Sequence, residues 1–485
     1  MNLHFSFQRL MLIMLETNFV SRKEEKITKG KYKNQYDKMM NMPVPKLIIS
    51  LAIPTVLSMM VTNLYNVVDT AFVGRLGTSA SGAVGIVFGF MSILQAIGFT
   101  FGQGSGSIIS RRLGDKDAAR ASVIASTAFA LSFMIAIVAA LICYLFLDPI
   151  IMFLGSTSTI APYARTYITF ILLTSPFMVS SFTVNNILRY EGKALYGMVG
   201  LFSGAIINII GDMIFMFGLN MGIAGAGLST ALSQVIGFAI LLVPFLKGQT
   251  QCRLAIANVH FNAYDIGDII ATGCPSLLRQ GLGSITTIIL NTEASVYGDA
   301  AVAGMSIVSR LFFFMFSVAI GVGQGFQPVC GFSYGAKRYD RLKEGFRFSV
   351  LLGEGLMIVL GTILYIKAPY FIKLLRDDPD VTNIAVRALR LQCIAVLFLP
   401  LCMNTEMLMQ CTGQRLAASL LSMLRNGLIF IPLLLILAKT RGIAGIQEAQ
   451  PLSYVVAFIP GAAAAYIFFK KLKHQDYKTK DNVGE

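Results

Sequence analysis

The chain has no tryptophan, only three histidines, and few charges for its 485 residues, 13% against 55% hydrophobic. Soluble domains carry about 25% charged residues, so this scarcity, with a mean hydropathy of +0.68, excludes a soluble globular protein. Without tryptophan, anchoring at the membrane interface falls to tyrosines such as Tyr144, Tyr163, Tyr167, Tyr297 and Tyr454. His4, His260 and His474 all lie outside the apolar stretches, which excludes a histidine proton relay. The phosphate-binding loop G-x-x-x-x-G-K-[ST] is missing, so ATP drive is not expected. The seven cysteines match no metal-site spacing. Cys143, Cys274, Cys330, Cys393, Cys402 and Cys411 lie in or beside apolar stretches and read as small buried apolar residues. The alternating pattern of a membrane barrel is missing too.

What is present is a succession of apolar windows of about 20 residues or more, each long enough to cross a hydrocarbon core of about 30 Å as a helix. The windows fall near 46–72, 82–110, 119–147, 161–189, 194–219, 222–247, 267–297, 301–332, 345–368, 383–412, 415–439 and 442–470. They predict an all-α integral membrane protein of about 12 transmembrane helices. With the N-terminus inside, most of the 40 basic residues fall in inner loops and tails, notably "SRRLGDKDAAR" (110–120) and "GAKRYDRLK" (335–343). This places both termini in the cytoplasm and assigns the net charge of +15 to topology and anionic lipid, not to nucleic acid. Residues 1–45 read as a basic cytosolic arm, and Met39, Met40 and Met42 are alternative starts just ahead of the first span.

A shift of 221 residues lays the first half over the second. Pro54 meets Pro275, Gly77 meets Gly298, Gly192 meets Gly413, and "FGQGSGSIISRRLGDKDAAR" (101–120) meets "VGQGFQPVCGFSYGAKRYDR" (322–341). Six spans per copy make the copies parallel, two six-helix lobes related by a pseudo-twofold along the membrane normal. The expected organisation is an N-lobe over 46–247, a cytosolic linker over 248–266, a C-lobe over 267–470 and a cytosolic tail over 471–485. Pro54 and Pro275 are expected to bend spans 1 and 7. Gly102, Gly104, Gly323 and Gly325 are expected to let helices approach closely or unwind.

A charge at the centre of a membrane helix costs roughly 2.5–3.5 kcal/mol on insertion scales, so each one needs a partner or a task. Asp69 lies in the outer half of span 1, with Tyr65 and Asn66 one turn before it. Asp212 lies in span 5 with Asn208 one turn before, and span 6 adds Thr230 in "GLSTALS" (227–233). Carboxylate, amide and hydroxyl oxygens are ligands of a hard cation, and the same carboxylates can carry a proton. A Na⁺ site and a proton site would use the same residues. The second half has Leu290 and Leu433 at the positions matching the two aspartates; its own acids are Glu293, Glu354 and Glu406, candidates for substrate or cation contact.

Taken together, "NVVDTAFVGRLG" after a proline-bearing span, the "GQG" span with its basic loop, "NIIGDMIFMFGLNMGIAGAGLSTALS" and "GFQPVCGFSYGAKRYDR" resemble the multidrug and toxic compound extrusion family, MATE, in its MepA-like and DinF-like prokaryotic branch. The resemblance runs from about residue 42 to 470. It implies an antiporter of the cell inner membrane, not an enzyme. Such a protein expels organic, often cationic, compounds against inward Na⁺ or H⁺ flow, with no cofactor besides the coupling ion. It also implies an N-lobe ion or proton site at Asp69, Asn208 and Asp212, lined by Tyr65 and Thr230. Relatives commonly have proline after the span-5 aspartate, where this chain has Met213. A broad drug cavity lined by Met and Phe is expected, since 23 Met and 35 Phe supply adaptable apolar surface, although most of them must face lipid or core. The nearest alternative is a flippase for a lipid-linked saccharide, which would need several cavity cations; Arg279, Arg310 and Arg425 are the chief candidates.

Overall fold

The computed structural model describes residues 34–154, 156–376 and 378–481. Residues 1–33 of the expected basic arm, including His4, lie outside the described residues. Helix α1 (Gln35–Asn41) belongs to a unit separate from the remainder and is capped by Asn34, whose side chain accepts the Asp37 N–H at 2.8 Å.

From Val44 onward the described residues are helical and contain no strand. The first half comprises α2 (Val44–Gly74), α3 (Thr78–Gly114), α4 (Ala118–Leu145), short α5 (Leu147–Phe153), α6 (Ala161–Tyr190), α7 (Ala194–Asp212) and α8 (Gly222–Leu246). The second comprises α9 (Ala263–Ser295), α10 (Asp299–Gly335), α11 (Tyr339–Ile366), short α12 (Ala368–Leu375), α13 (Pro379–Ala395), α14 (Leu399–Cys411), α15 (Arg415–Met423), α16 (Phe430–Arg441) and α17 (Ile443–Asp481). Eleven stretches among the described residues are long and apolar enough to cross a membrane. The twelfth expected span is α9, whose 33 residues give it the length but which carries Asp265, Asp268, Arg279 and Glu293.

Each half has its own apolar core. One gathers Val73, Phe90, Ile168 and Met178, and the other gathers Leu290, Met315, Leu389 and Leu434. The halves meet where α2 and α3 pack against α9 and α10. The repeated Gly-Gln-Gly explains how. A Cβ on Gly102 would lie 2.8 Å from the Asn186 Cβ, and one on Gly323 would lie 2.6 Å from the Met407 Sδ, so the first glycine of each motif packs helices within its own half. A Cβ on Gly104 would press on the Ile269 carbonyl and lie 2.9 Å from the Gly273 nitrogen, and one on Gly325 would lie 2.7 Å from the Ala52 Cα. The second glycine thus lets backbones of opposite halves touch. Helices α3 and α10 run unbroken through both motifs, so the glycines serve close approach and not unwinding. Gly104→Val is expected to cost about 1–3 kcal/mol through overpacking against backbone that cannot turn aside. A lowered melting temperature in detergent would show it, with Gly85→Val as control, since a Cβ there meets nothing within 4 Å.

Between the glycines, Gln103 and Gln324 are fully buried and reach across the seam. The Gln103 Oε1 accepts from Ser276 at 2.7 Å and from the Arg279 Nη2 at 3.2 Å, while Gln324 accepts from Arg189. Two of the tyrosines expected at the interface are buried instead: Tyr454 stacks on Phe312, and Tyr167 lies within the first half.

The stretch after α8 is strapped to the first half. The buried Glu191 carboxylate accepts the N–H groups of Gln251 at 2.8 Å and Cys252 at 3.0 Å. Burial pushes the Glu191 carboxyl up from its ordinary pKa, and those two hydrogen bonds oppose the shift. Ser122 and Ser126 on α4 accept the N–H groups of Arg253 and Ala255, and Thr127 accepts that of His260. Glu191→Ala leaves a buried N–H without an acceptor at Cys252, a loss of about 1–3 kcal/mol. Faster protease cleavage between residues 248 and 262 is the expected readout.

Candidate functional site

Helix α2 carries Tyr65 and Asp69 one turn apart, and it packs against α7. Asp212 is the last residue of α7, and the chain continues into a π-helical turn, Met213–Gly218. An N–H is available at Met213, so the helix widens there without being cut. Helices α7 and α8 then form a tight hairpin: a Cβ on Gly211 would lie 2.5 Å from the Ser229 Oγ, and one on Gly225 would lie 2.7 Å from the Phe215 carbonyl carbon. This closeness brings the hydroxyls of α8 onto Asn208. Ser229 donates to the Asn208 carbonyl at 2.8 Å, and the Asn208 Nδ2 faces the Ser229 Oγ at 3.4 Å and the Thr230 Oγ1 at 3.3 Å. From α6, the Tyr167 hydroxyl lies 3.4 Å from the Thr230 Oγ1.

The polar groups at the centre are removed from solvent: Asp69 is 9% exposed, Asn208 2%, Asp212 0% and Tyr167 2%. The carboxyls of Asp69 and Asp212 lie close enough to act on each other electrostatically. Four oxygens, the Asp69 Oδ1, the Asn208 Oδ1 and both oxygens of Asp212, are buried with no hydrogen-bond donor. The nearby Ser229 proton is spent on the Asn208 carbonyl. Buried acceptors without donors are costly, and two like charges held close together out of water repel. A cation or a proton between the carboxyls relieves both costs. Carboxylate, amide and hydroxyl oxygens are the donor set of a hard cation, and the same carboxylates can carry a proton.

The first-half residues singled out in the sequence, Tyr65, Asp69, Asn208, Asp212 and Thr230, come from three helices that pack on one another. Sequence reasoning missed Ser229, which neighbours Thr230, and Tyr167, which was expected at the interface. The second-half acids behave differently. Glu406 on α14 is 1% exposed, and both of its oxygens are taken by guanidiniums, Arg279 at 2.6 Å and Arg425 at 2.9 Å. It is therefore closed to a further cation. Glu293 and Glu354 are half-buried, without an ion-pair or hydrogen-bond partner among the described residues. Leu290, at the position matching Asp69, is packed into the second half's apolar core, so the oxygen site has no counterpart there.

The MatE family profile matches residues 54–214 and again residues 275–436, beginning at the two repeated prolines. The multidrug export protein MepA of Staphylococcus haemolyticus is 25% identical over 402 residues, 83% of this chain and 88% of that protein. MepA of Staphylococcus aureus is 26% identical over 406 residues, 83% and 89% of the two chains. An outward-facing structure of a multidrug resistance MATE family transporter superposes with a TM-score of 0.86 at 24% identity, covering 90% of this chain and 98% of that one. The Vibrio cholerae MATE transporter VcmN superposes with a TM-score of 0.83 at 21% identity, covering 89% and 97%.

Proposed function

Because the chain belongs to the MatE family, we propose that it is a secondary active exporter of organic, cationic compounds, driven by the inward flow of Na⁺ or H⁺. The observation that carries this reading is the facing pair Asp69 and Asp212, whose buried oxygens lack donors. The MepA relatives, multidrug export proteins by name, support the substrate class.

In this mechanism the N-lobe (46–247) and the C-lobe (267–470) rock about the α2/α3–α9/α10 seam, with 248–266 as a cytosolic linker and both termini in the cytoplasm of a cell whose inner membrane holds the protein. Binding of the coupling ion between Asp69 and Asp212 replaces repulsion by attraction and draws α2 toward α7, which changes the lobe surface that holds the drug. Release of the ion inward restores the repulsion and resets the lobes. Tyr65, Tyr167, Ser229 and Thr230 position the oxygens and exclude water. Pro54 and Pro275 leave a backbone carbonyl of α2 and of α9 without its helical N–H, a place where each helix can flex. The flippase alternative is disfavoured, because Arg279 and Arg425 are committed to Glu406.

Expression in a host lacking its own pumps is expected to permit growth on cationic dyes that otherwise kill it. A host that gains no tolerance to any such dye while the protein sits in its membrane would count against drug export.

A further inference from the structure

Away from the oxygen site, a surface cavity of about 590 Å³ opens between the end of α11, the short α12 and α13. Its wall changes character along α13, which presents Arg387 and Arg390 and then, one turn further on, Ile394, 53% exposed. Lys373 faces them from α12. The Arg390 Nε donates to the Tyr365 carbonyl at 3.4 Å, and its guanidinium lies 5.4 Å from the Tyr365 ring centre. Tyr365 is the penultimate residue of α11, so this cation stands at the end of a span, where headgroups lie. Below that level Ile363 and Val359 of α11 are exposed hydrocarbon.

The charges around the cavity are unbalanced. Arg387 and Arg441 share Glu448 at 2.7 and 2.5 Å, and Arg376 pairs with Asp378 at 3.8 Å. Lys373 and Arg390 have no carboxylate partner among the described residues. With the termini inside, this end of α11 faces outward. Cations are scarce in outer loops, yet Lys367, Lys373, Arg376, Arg387 and Arg390 gather in this one segment and outnumber its acids, Asp377, Asp378 and Asp380.

We propose that the cavity binds an anionic phospholipid of the outer leaflet, with its phosphate between Lys373 and Arg390 and an acyl chain along Ile394 and the exposed flank of α11. The planar guanidinium matches phosphate oxygens two at a time, and the ammonium adds a point charge. The exposed Tyr370 and Leu374 of α12 lie on the same interfacial rim. A soluble phosphate ester would share the headgroup chemistry, but the apolar floor commits the site to a lipid.

Native mass spectrometry of the full chain in detergent tests this with phosphatidylglycerol, phosphatidylcholine and glycerol phosphate as probes. The wild type is expected to retain phosphatidylglycerol about thirtyfold better than phosphatidylcholine, as two cations near a membrane surface imply. The double variant Lys373→Gln, Arg390→Gln is expected to lose that preference, and excess glycerol phosphate is expected not to displace the lipid. The charge-keeping exchange Lys373→Arg, Arg390→Lys is expected to keep it, which separates loss of charge from loss of fold. An undiminished preference in the Gln variant, a wild type that does not distinguish the lipids, displacement by glycerol phosphate, or loss of preference in the charge-keeping exchange would each overturn the proposal.

Discussion

Asp212→Asn is expected to bring dye export down to the level of cells that carry no transporter, while the protein still reaches the membrane in normal amount. Asparagine has nearly the shape of aspartate, so the α7–α8 hairpin has no reason to open. Its amide even supplies donors to a neighbourhood in which the Asp69 Oδ1 and the Asn208 Oδ1 have none, which favours the fold. What it removes is one of two buried charges that attract the coupling ion. Removing one member of a buried charge interaction costs about 2–5 kcal/mol, which weakens ion binding roughly thirty- to several-thousandfold. Asp69→Asn should act in the same direction. Since the two carboxyls work as one unit, the double variant should be no worse than either single one. Dye accumulation in cells, normalised to the amount of protein in the membrane, is the measurement. Wild-type export by the Asp212→Asn protein would remove the site from the mechanism.

Glu406→Ala is expected to destabilise the fold by about 3–5 kcal/mol, because it leaves the guanidiniums of Arg279 and Arg425 buried together with no anion between them. A steep fall in melting temperature in detergent and a low yield are the readouts. Replacing the whole triad by apolar groups of similar volume, with Arg279→Met, Glu406→Leu and Arg425→Met, should recover most of the loss, since the desolvation of three charges disappears with them. A Glu406→Ala protein as stable as wild type would show that the triad is not held as a closed ion cluster. The contrast with Asp212 is physical. One acid has its oxygens filled by arginines, while the other has empty acceptors, as the proposed coupling site requires.

The two aspartates were legible in the sequence because a lone charge in an apolar run is costly wherever it points, and the repeat was legible because both copies kept their prolines and glycines. Geometry between helices was not. Tyr167 reads the same as Tyr163, four residues away, which is exposed at the helix start; only packing against α8 separates the buried tyrosine from the anchoring one. Glu406 could be named as an acid in a span, but its partner Arg279 lies 127 residues away, and no local pattern relates the two. The glycines announced close approach without saying to what. Gly102 packs within its half and Gly104 across the seam, although both stand in the same three-residue motif. The π-helical turn that follows Asp212 left no mark in the sequence pattern, where Met213 continues an apolar run.

Transport in sealed vesicles tests the central claim most directly. Purified wild type, Asp69→Asn and Asp212→Asn are reconstituted at equal amounts, and movement of a cationic dye is followed under an imposed Na⁺ gradient alone and an imposed pH gradient alone. The account predicts that at least one gradient drives dye movement in the wild type and that neither does so in the two variants. Gradient-driven movement of wild-type size in both variants would contradict it.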